Sequence, residues 1–543
     1  MISETTPTEL PVDSTRTLRL LTLLGWRGGL AAIVAGMILS FALFGYFAIY
    51  WRNADMDFMV VYNALVLNAG KPQAFFDHPA YLTILSVAYA FRGLHAAGLL
   101  DAYTLLAIPS AANLPAFDAA MTHAVRAARI VALITAVLLV LGFAGLMRRV
   151  LRDWRIAALA TFAFAFSGGV AVHERILRSD LVAASFVMFA LLIVIDAARR
   201  GSAWRPLALG VAACLCVLAL ENKVHVVILI ATLPVLGLVF GTPAGASAVV
   251  WRTGRAWPVV LIAAVCAAWL AWAAWPLVVT GFDPAVATDA GLRPMLGHAF
   301  GVYQIVLAVY AALAMIAFAM IRKVSLSETL AAMLAVAGGA ALGLLVLDLQ
   351  FNAGDAVAVL NPLEKMMTFA PAGESAAPVA QNVAMLWGNF VLVLERYSFF
   401  LYTSARPTVF VLWLVVAGMI YAWRRNERLL VLQALLLVLI ATGIDTLGVS
   451  RGLKSEYFVY SDPLIIIAGA LLLDRLPQVT QLRGALAVGV VVMVLHIVVS
   501  HPEPVKMMTK RSGPEYICDW NKLYQPLLPM PWCALPRADP ARS

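Results

Sequence analysis

With 543 residues, 62% of them hydrophobic and only 13% charged, the chain carries about half the charged share of a soluble protein. That shortage, with apolar runs of about 20 residues repeated along the chain, excludes a soluble all-α protein and points to an all-α polytopic membrane protein. The net charge of +9 does not call for nucleic acid, because most Lys and Arg gather in short turns between apolar runs, where they set topology.

Arg16, Arg19 and Arg27 precede a first span over about 28–51, so the N-terminus is predicted to be cytoplasmic. The residues before it are polar or basic and no cleavable signal peptide is expected. A first outer loop follows over about 52–126, too apolar for a free linker. Within it, 55–67 and 81–94 are predicted as short amphipathic helices lying at the membrane interface. The second span, about 130–146, returns the chain to Arg148, Arg149, Arg152 and Arg155. The third, about 156–172, delivers the cluster His173-Glu174-Arg175-Ile176-Leu177-Arg178-Ser179-Asp180 outside, and the fourth, about 181–197, comes back to Arg199, Arg200 and Arg205. A fifth span leads to Glu221-Asn222-Lys223 and a sixth returns to Arg252 and Arg255.

The seventh and eighth spans, about 257–280 and 300–321, end at Arg322 and Lys323. The ninth, about 330–347, opens into a large outer loop over 351–407. Three more spans pass Arg424, Arg425 and Arg428, then Arg451 and Lys454, then Arg475. A last one exits before His501. The expectation is about thirteen spans in one membrane domain over 1–500, with an external tail over 501–543. No internal repeat is evident. Cys214, Cys216 and Cys266 fall in spans and are read as small hydrophobes. Cys518 and Cys533 fall in the external tail, where a disulfide would close a loop of about 15 residues and contribute up to ~3 kcal/mol; two unpaired thiols are the alternative.

Charges kept beside spans cost free energy and call for a reason. Asp55 suits either a helix cap or a catalytic acid, and Asp57, in the first turn, is the better candidate because capping does not need two acids. Arg175 and Asp180 stand where one span ends and the next begins, and a turn there can present both to one cavity; a snorkelling Arg and a helix cap are the bland alternative. Glu174 and Arg178 are read as solvated loop charges. Lys223 either meets a phosphate as a point charge or pairs with Glu221. Arg451, Lys454, Tyr457 and Tyr460 crowd one outer turn and suit a phosphate with a sugar attached, although interfacial Tyr is common in any case. His78, His173, His225 and His298 lack metal-ligand spacing. Neither a phosphate-binding glycine loop nor a nucleophile elbow is present, which argues against an ATP-driven pump or an α/β-hydrolase.

At these residues the chain resembles the GT-C superfamily of polytopic glycosyltransferases. Asp57-Phe58, followed by Tyr62, Ala64 and Gly70-Lys71-Pro72, looks like the first-loop pattern of the bacterial branch that uses polyprenyl-phosphate-mannose. Arg175-Ile-Leu-Arg-Ser-Asp180 is similar to the Arg-x4-Asp element of protein O-mannosyltransferases. Thirteen spans and an external tail match the plan of lipid A aminoarabinose transferases. Many relatives carry adjacent Asp-Glu in the first loop, whereas here Met56 separates Asp55 from Asp57.

The resemblance implies a bacterial inner-membrane enzyme with an extracytoplasmic active site. It would move a sugar from a polyprenyl-phosphate donor to a glycan, lipid or protein acceptor by inverting displacement. Asp57 or Asp55 would be the catalytic base that takes the acceptor's proton, with Asp180 a further catalytic residue. Arg175, Lys223, Arg451 and Lys454 would hold the donor phosphate, and Tyr62, His78, Tyr457 and Tyr460 are the candidate substrate contacts. No cofactor is required by the resemblance, although a divalent cation is compatible with it; the metal ligands are not assigned. The rival reading is a multi-pass transporter or lipid-linked sugar flippase, which would favour mid-span charges, broken helices and repeated halves.

Overall fold

The computed structural model describes residues 15–53, 57–71, 80–199, 206–241, 257–293, 302–350, 379–398, 408–449, 453–476 and 485–509, with Leu296 and parts of the 518–534 tail. Every regular element among these residues is helical. In chain order they are α1 (Thr15–Phe44), α2 (Met59–Asn68), α3 (Tyr81–Ala96), α4 (Leu114–Val150), α5 (Trp154–Ala165), α6 (Gly168–His173), α7 (Asp180–Arg199), α8 (Pro206–Leu220) and α9 (Val227–Phe240). There follow α10 (Trp257–Ala273), α11 (Trp275–Val279), α12 (Pro284–Asp289), α13 (Val302–Arg322), α14 (Leu326–Asp348) and α15 (Val379–Tyr397). The last are α16 (Val409–Arg424), α17 (Arg428–Gly448), α18 (Asp462–Arg475), α19 (Ala485–Ser500) and α20 (Pro502–Thr509).

Seven helical stretches among the described residues are long and apolar enough to cross a membrane: Gly25–Phe44, Leu114–Val150, Asp180–Ala197, Gln304–Arg322, Leu326–Asp348, Arg428–Gly448 and Val488–Lys506. The chain is a multi-pass helical membrane protein. Shorter apolar helices occupy five more of the expected spans, at Trp154–Ala165, Pro206–Leu220, Val224–Phe240, Val260–Ala273 and Val409–Arg424. A helix of 15 residues, such as α8, rises only about 22 Å against a hydrocarbon core of about 30 Å. Length alone therefore does not make spans of these.

The longest helix organises the rest. α4 has 37 residues, about 55 Å at the α-helical rise, so it projects well beyond a bilayer core. Its first turns, through Phe117, Met121, Ala124, Val125 and Ala128, join a core with α2, α3 and Leu528 and Met530 of the tail. Its later turns, from Leu133 to Met147, join the main core with α1, α5 and α7. Arg129 sits at the junction.

Two expectations change here. The first-loop helix α2 is not an amphipathic surface helix: Met59 to Val66 are all buried. Its sequence is apolar on every side, and such a helix is stable only when surrounded. Instead of one continuous third span, the chain breaks at Phe166 and Ser167. Ser167 takes an extended backbone and its hydroxyl accepts from Val170 N, starting α6 afresh. Elsewhere small residues let backbones touch: a Cβ on Gly339 would stand 2.0 Å from Gly210 O, and one on Gly338 2.4 Å from Ala263 Cα. These approaches pack α14 against α8 and α10 in the manner of small-residue membrane interfaces.

Candidate functional site

Several chain segments converge at the first-loop end of α4. Asp57, just ahead of α2, is fully buried. Its Oδ2 accepts from Arg129 Nε at 2.7 Å, and its Oδ1 accepts from Leu177 N at 2.9 Å. The acid thus ties the first loop both to α4 and to the segment between α6 and α7, joining the two charged stretches singled out in the sequence. It does not cap its own helix: Phe58 holds the N-cap position and makes no side-chain cap bond. Burial pushes the Asp57 carboxyl up, against the opposing pull of Arg129 and Leu177 N.

Asn222 makes the second tie. Its backbone oxygen accepts from Ala80 N at 3.0 Å. Its side chain accepts from Thr83 N at 3.2 Å and donates to Ser179 O at 2.9 Å. The turn between α8 and α9 is thereby stitched to α3 and to the start of α7.

Around Asp180, the first residue of α7, a charged cluster forms. Tyr460 donates to Asp180 Oδ1 at 2.7 Å, and Lys223 Nζ stands 3.5 Å from the same oxygen. Arg178 Nε lies 3.3 Å from Oδ2, and His173 Nε2 lies 4.0 Å from it. Arg178 also pairs with Glu456 at 2.9 Å, and its guanidinium centre is 5.8 Å from the Tyr457 ring. Asp180, Glu456, Arg178 and Lys223 are all buried, and their formal charges cancel, which buried ions require. Burial and the neighbouring Asp180 push the Tyr460 hydroxyl well up, keeping it a donor.

The Ser455–Tyr460 3₁₀ turn reaches the cluster because α6 carries glycine where the two meet. A Cβ on Gly169 would stand 2.7 Å from Val459 N.

The site differs from the sequence expectation in several places. Arg175 does not share a cavity with Asp180. It turns back along α6, donating to Ala171 O and Ser40 Oγ, and pairs with Glu174 at 2.9 Å. Glu174 and Arg178 are not solvated: both are buried, because the 174–179 segment is enclosed by α1, the first loop and the 455–460 turn. Burial pushes the Glu174 carboxyl up to about 7, although Arg175 opposes it.

Lys223 reaches Asp180. Tyr62 is buried, and its hydroxyl accepts from Leu527 N of the tail at 3.2 Å, which makes it a tail anchor. Tyr457 and Tyr460 both face the cluster. Lys454 is exposed at the head of their turn. Asp55, His78 and Arg451 lie outside the described residues. Cys518 and Cys533 form a disulfide. Among the described residues no group of three or more His, Cys, Asp or Glu is placed to hold a metal ion.

Sequence reasoning passed over Arg129, His173, Arg178, Asn222 and Glu456 as site members. His173, Arg178 and Asn222 fall inside stretches that the sequence marks, and Arg129 stands with Arg126 at the edge of a long apolar run. Beside the cluster lies a recess of about 20 Å³, room for about one water. It is lined by Thr83 and Ser86 of α3, Thr135 of α4, and His173, Arg178 and Leu181. No protein-family model, curated protein or solved structure matches the chain.

Proposed function

We propose that the chain is a membrane glycosyltransferase of the GT-C type. It would move a sugar from a polyprenyl-phosphate donor to a glycan, lipid or protein acceptor outside the cytoplasm, in a bacterial inner membrane crossed about thirteen times. The observation that carries this reading is the buried cluster of Arg178, Lys223, Asp180 and Glu456, gathered at span ends against the first loop and beside a recess. A pump or carrier needs its charges along a path through the membrane. A transferase needs them at one face, where a lipid phosphate and a polar acceptor meet.

On this reading the acceptor hydroxyl attacks the anomeric carbon with inversion as the phosphate departs. The transition state has oxocarbenium character, and negative charge grows on the leaving phosphate. Arg178 and Lys223 are the cations that would take up that charge in a partly dry site, exchanging their present carboxylate partners for it. The first loop offers Asp55 and Asp57 as candidate bases, and Asp57 would first have to loosen its hold on Arg129 or Leu177.

The test is transfer from a panel of radiolabelled polyprenyl-phosphate sugars by the purified protein, supplied with membrane extracts as acceptors. Label moving to an acceptor is the expected result. One observation favours a transporter instead, the break between α5 and α6, since broken helices line carrier sites. Label crossing proteoliposome membranes still attached to its lipid, with no transfer, would replace the enzyme by that carrier.

A further inference from the structure

The recess beside the cluster holds a group that the mechanism above leaves idle. His173 Nδ1 lies 2.6 Å from Gly169 O. A carbonyl only accepts, so Nδ1 carries the ring proton and the neutral ring keeps a lone pair on Nε2. That Nε2 is buried without a hydrogen-bond partner. The ring lines the recess, together with the hydroxyl-bearing residues Thr83, Ser86 and Thr135. Asp180 Oδ2 is 4.0 Å away, outside hydrogen-bond reach but close enough to stabilise an imidazolium once Nε2 has taken a proton. A fixed tautomer, an open lone pair on Nε2 and a carboxylate 4.0 Å from that same nitrogen, placed to stabilise its protonated form, suit a general base. Asp57, by contrast, has both oxygens engaged by protein donors.

We infer that His173 is the general base of the reaction and that the recess seats the acceptor's attacking hydroxyl. This rests on the glycosyltransferase reading and goes beyond it by moving the base out of the first loop. The hydroxyl proton passes to His173 Nε2, and the oxygen lone pair forms the bond to the anomeric carbon. The bond from that carbon to the phosphate oxygen breaks, and its electron pair leaves on the lipid phosphate. The imidazolium, held beside Asp180, then gives its proton to water. The other ionisable groups around this centre are Arg178 on the same segment, Lys223 from the α8–α9 turn, and Glu456, Tyr457 and Tyr460 from the 455–460 turn.

The experiment is a pH–rate profile of single-turnover transfer by the full-length protein, with any donor that the wild type accepts. The wild type should lose rate on acidification, as the base becomes protonated and can no longer take up the hydroxyl proton. Glu174→Gln should keep this limb, because the Glu174 carboxyl, pushed up to about 7 by burial, faces Arg175 and Ser40 instead. His173→Gln should lower the rate by about 10²–10⁴-fold and abolish the limb, at unchanged donor affinity and melting temperature. Added imidazole should restore part of the rate to His173→Ala.

If the wild type transfers no sugar from any donor, the glycosyltransferase reading itself fails. If the wild type is active and His173→Gln keeps its rate and its limb, only His173 loses its role. Should both histidine variants fail to fold, a wild-type profile flat from about pH 5 to 8, or a limb that disappears in Glu174→Gln, overturns the inference.

Discussion

Removing one partner from the buried Asp57–Arg129 pair leaves a lone charge in a site with no exposure to water, at a cost of about 3–5 kcal/mol. Asp57→Asn and Arg129→Met should therefore each lower the melting temperature of the purified protein. The double variant should recover most of the loss, since replacing both ions by uncharged groups is often neutral or stabilising, and the introduced amide oxygen can still accept from Leu177 N. A double variant no more stable than the singles would show that the pair is not what holds this junction. Transfer by a well-folded double variant would also decide whether Asp57 does any chemistry. At this scale the sequence was legible only in part. It marked Asp57, Asp180, Lys223 and Tyr460, because charges and aromatics at span ends stand out against apolar runs. It took Arg175 rather than Arg178, three residues further along the same short segment, although Arg178 is the one that meets Asp180 and Glu456. The path of that segment is set by Leu177 N binding Asp57, a long-range bond with no local signature.

The elements that shape the site depend on close backbone approach. α6 has only six residues, begins anew at Ser167, and meets the 455–460 turn at Gly169. Gly169→Ala should push that turn away, carrying Glu456 and Tyr460 off Arg178 and Asp180. Overpacking of this kind costs about 1–3 kcal/mol, so the variant should melt earlier and lose most of its transfer rate. Gly145→Ala, on α4, is the control. Nothing lies within 4 Å of its added methyl, so relief of glycine's helix penalty should leave it equal to or slightly more stable than wild type. Equal melting of Gly169→Ala and wild type would dismiss the contact as a determinant of the site. Apolar runs in the sequence locate most of these helices. The break at Phe166–Ser167 is hidden because apolar sequence continues through it, and α2 reads as a surface helix because the tail residues that help enclose it, Leu528 and Met530, are far away in sequence.

At the scale of the whole molecule, polar ties collect at two opposite ends of the helices. One end holds Asp57, Leu177, Asp180, Asn222 and Tyr460. At the other, Arg149 pairs with Asp196 at 3.0 Å, while Asp474 accepts from Arg152 N at 2.7 Å and Asp153 N at 3.2 Å. α4 and α7 each run from the first end to the second, and the second carries the arginine-rich turns. On the proposed topology, the positive-inside rule would put the second end in the cytoplasm and the candidate site outside. The tail supplies a separate argument. Leu528 and Met530 pack into the first-loop core, and the tail is closed by the Cys518–Cys533 disulfide, a bond that persists in oxidising compartments. Charge and redox chemistry thus both support the proposed placement of the site outside. A reporter active only outside the cytoplasm should work when fused after His501 and fail when fused after Arg200. The reverse pattern would place the cluster and the recess in the cytoplasm, where a lipid-linked donor facing outward could not reach them, and the transferase reading would fall with the orientation.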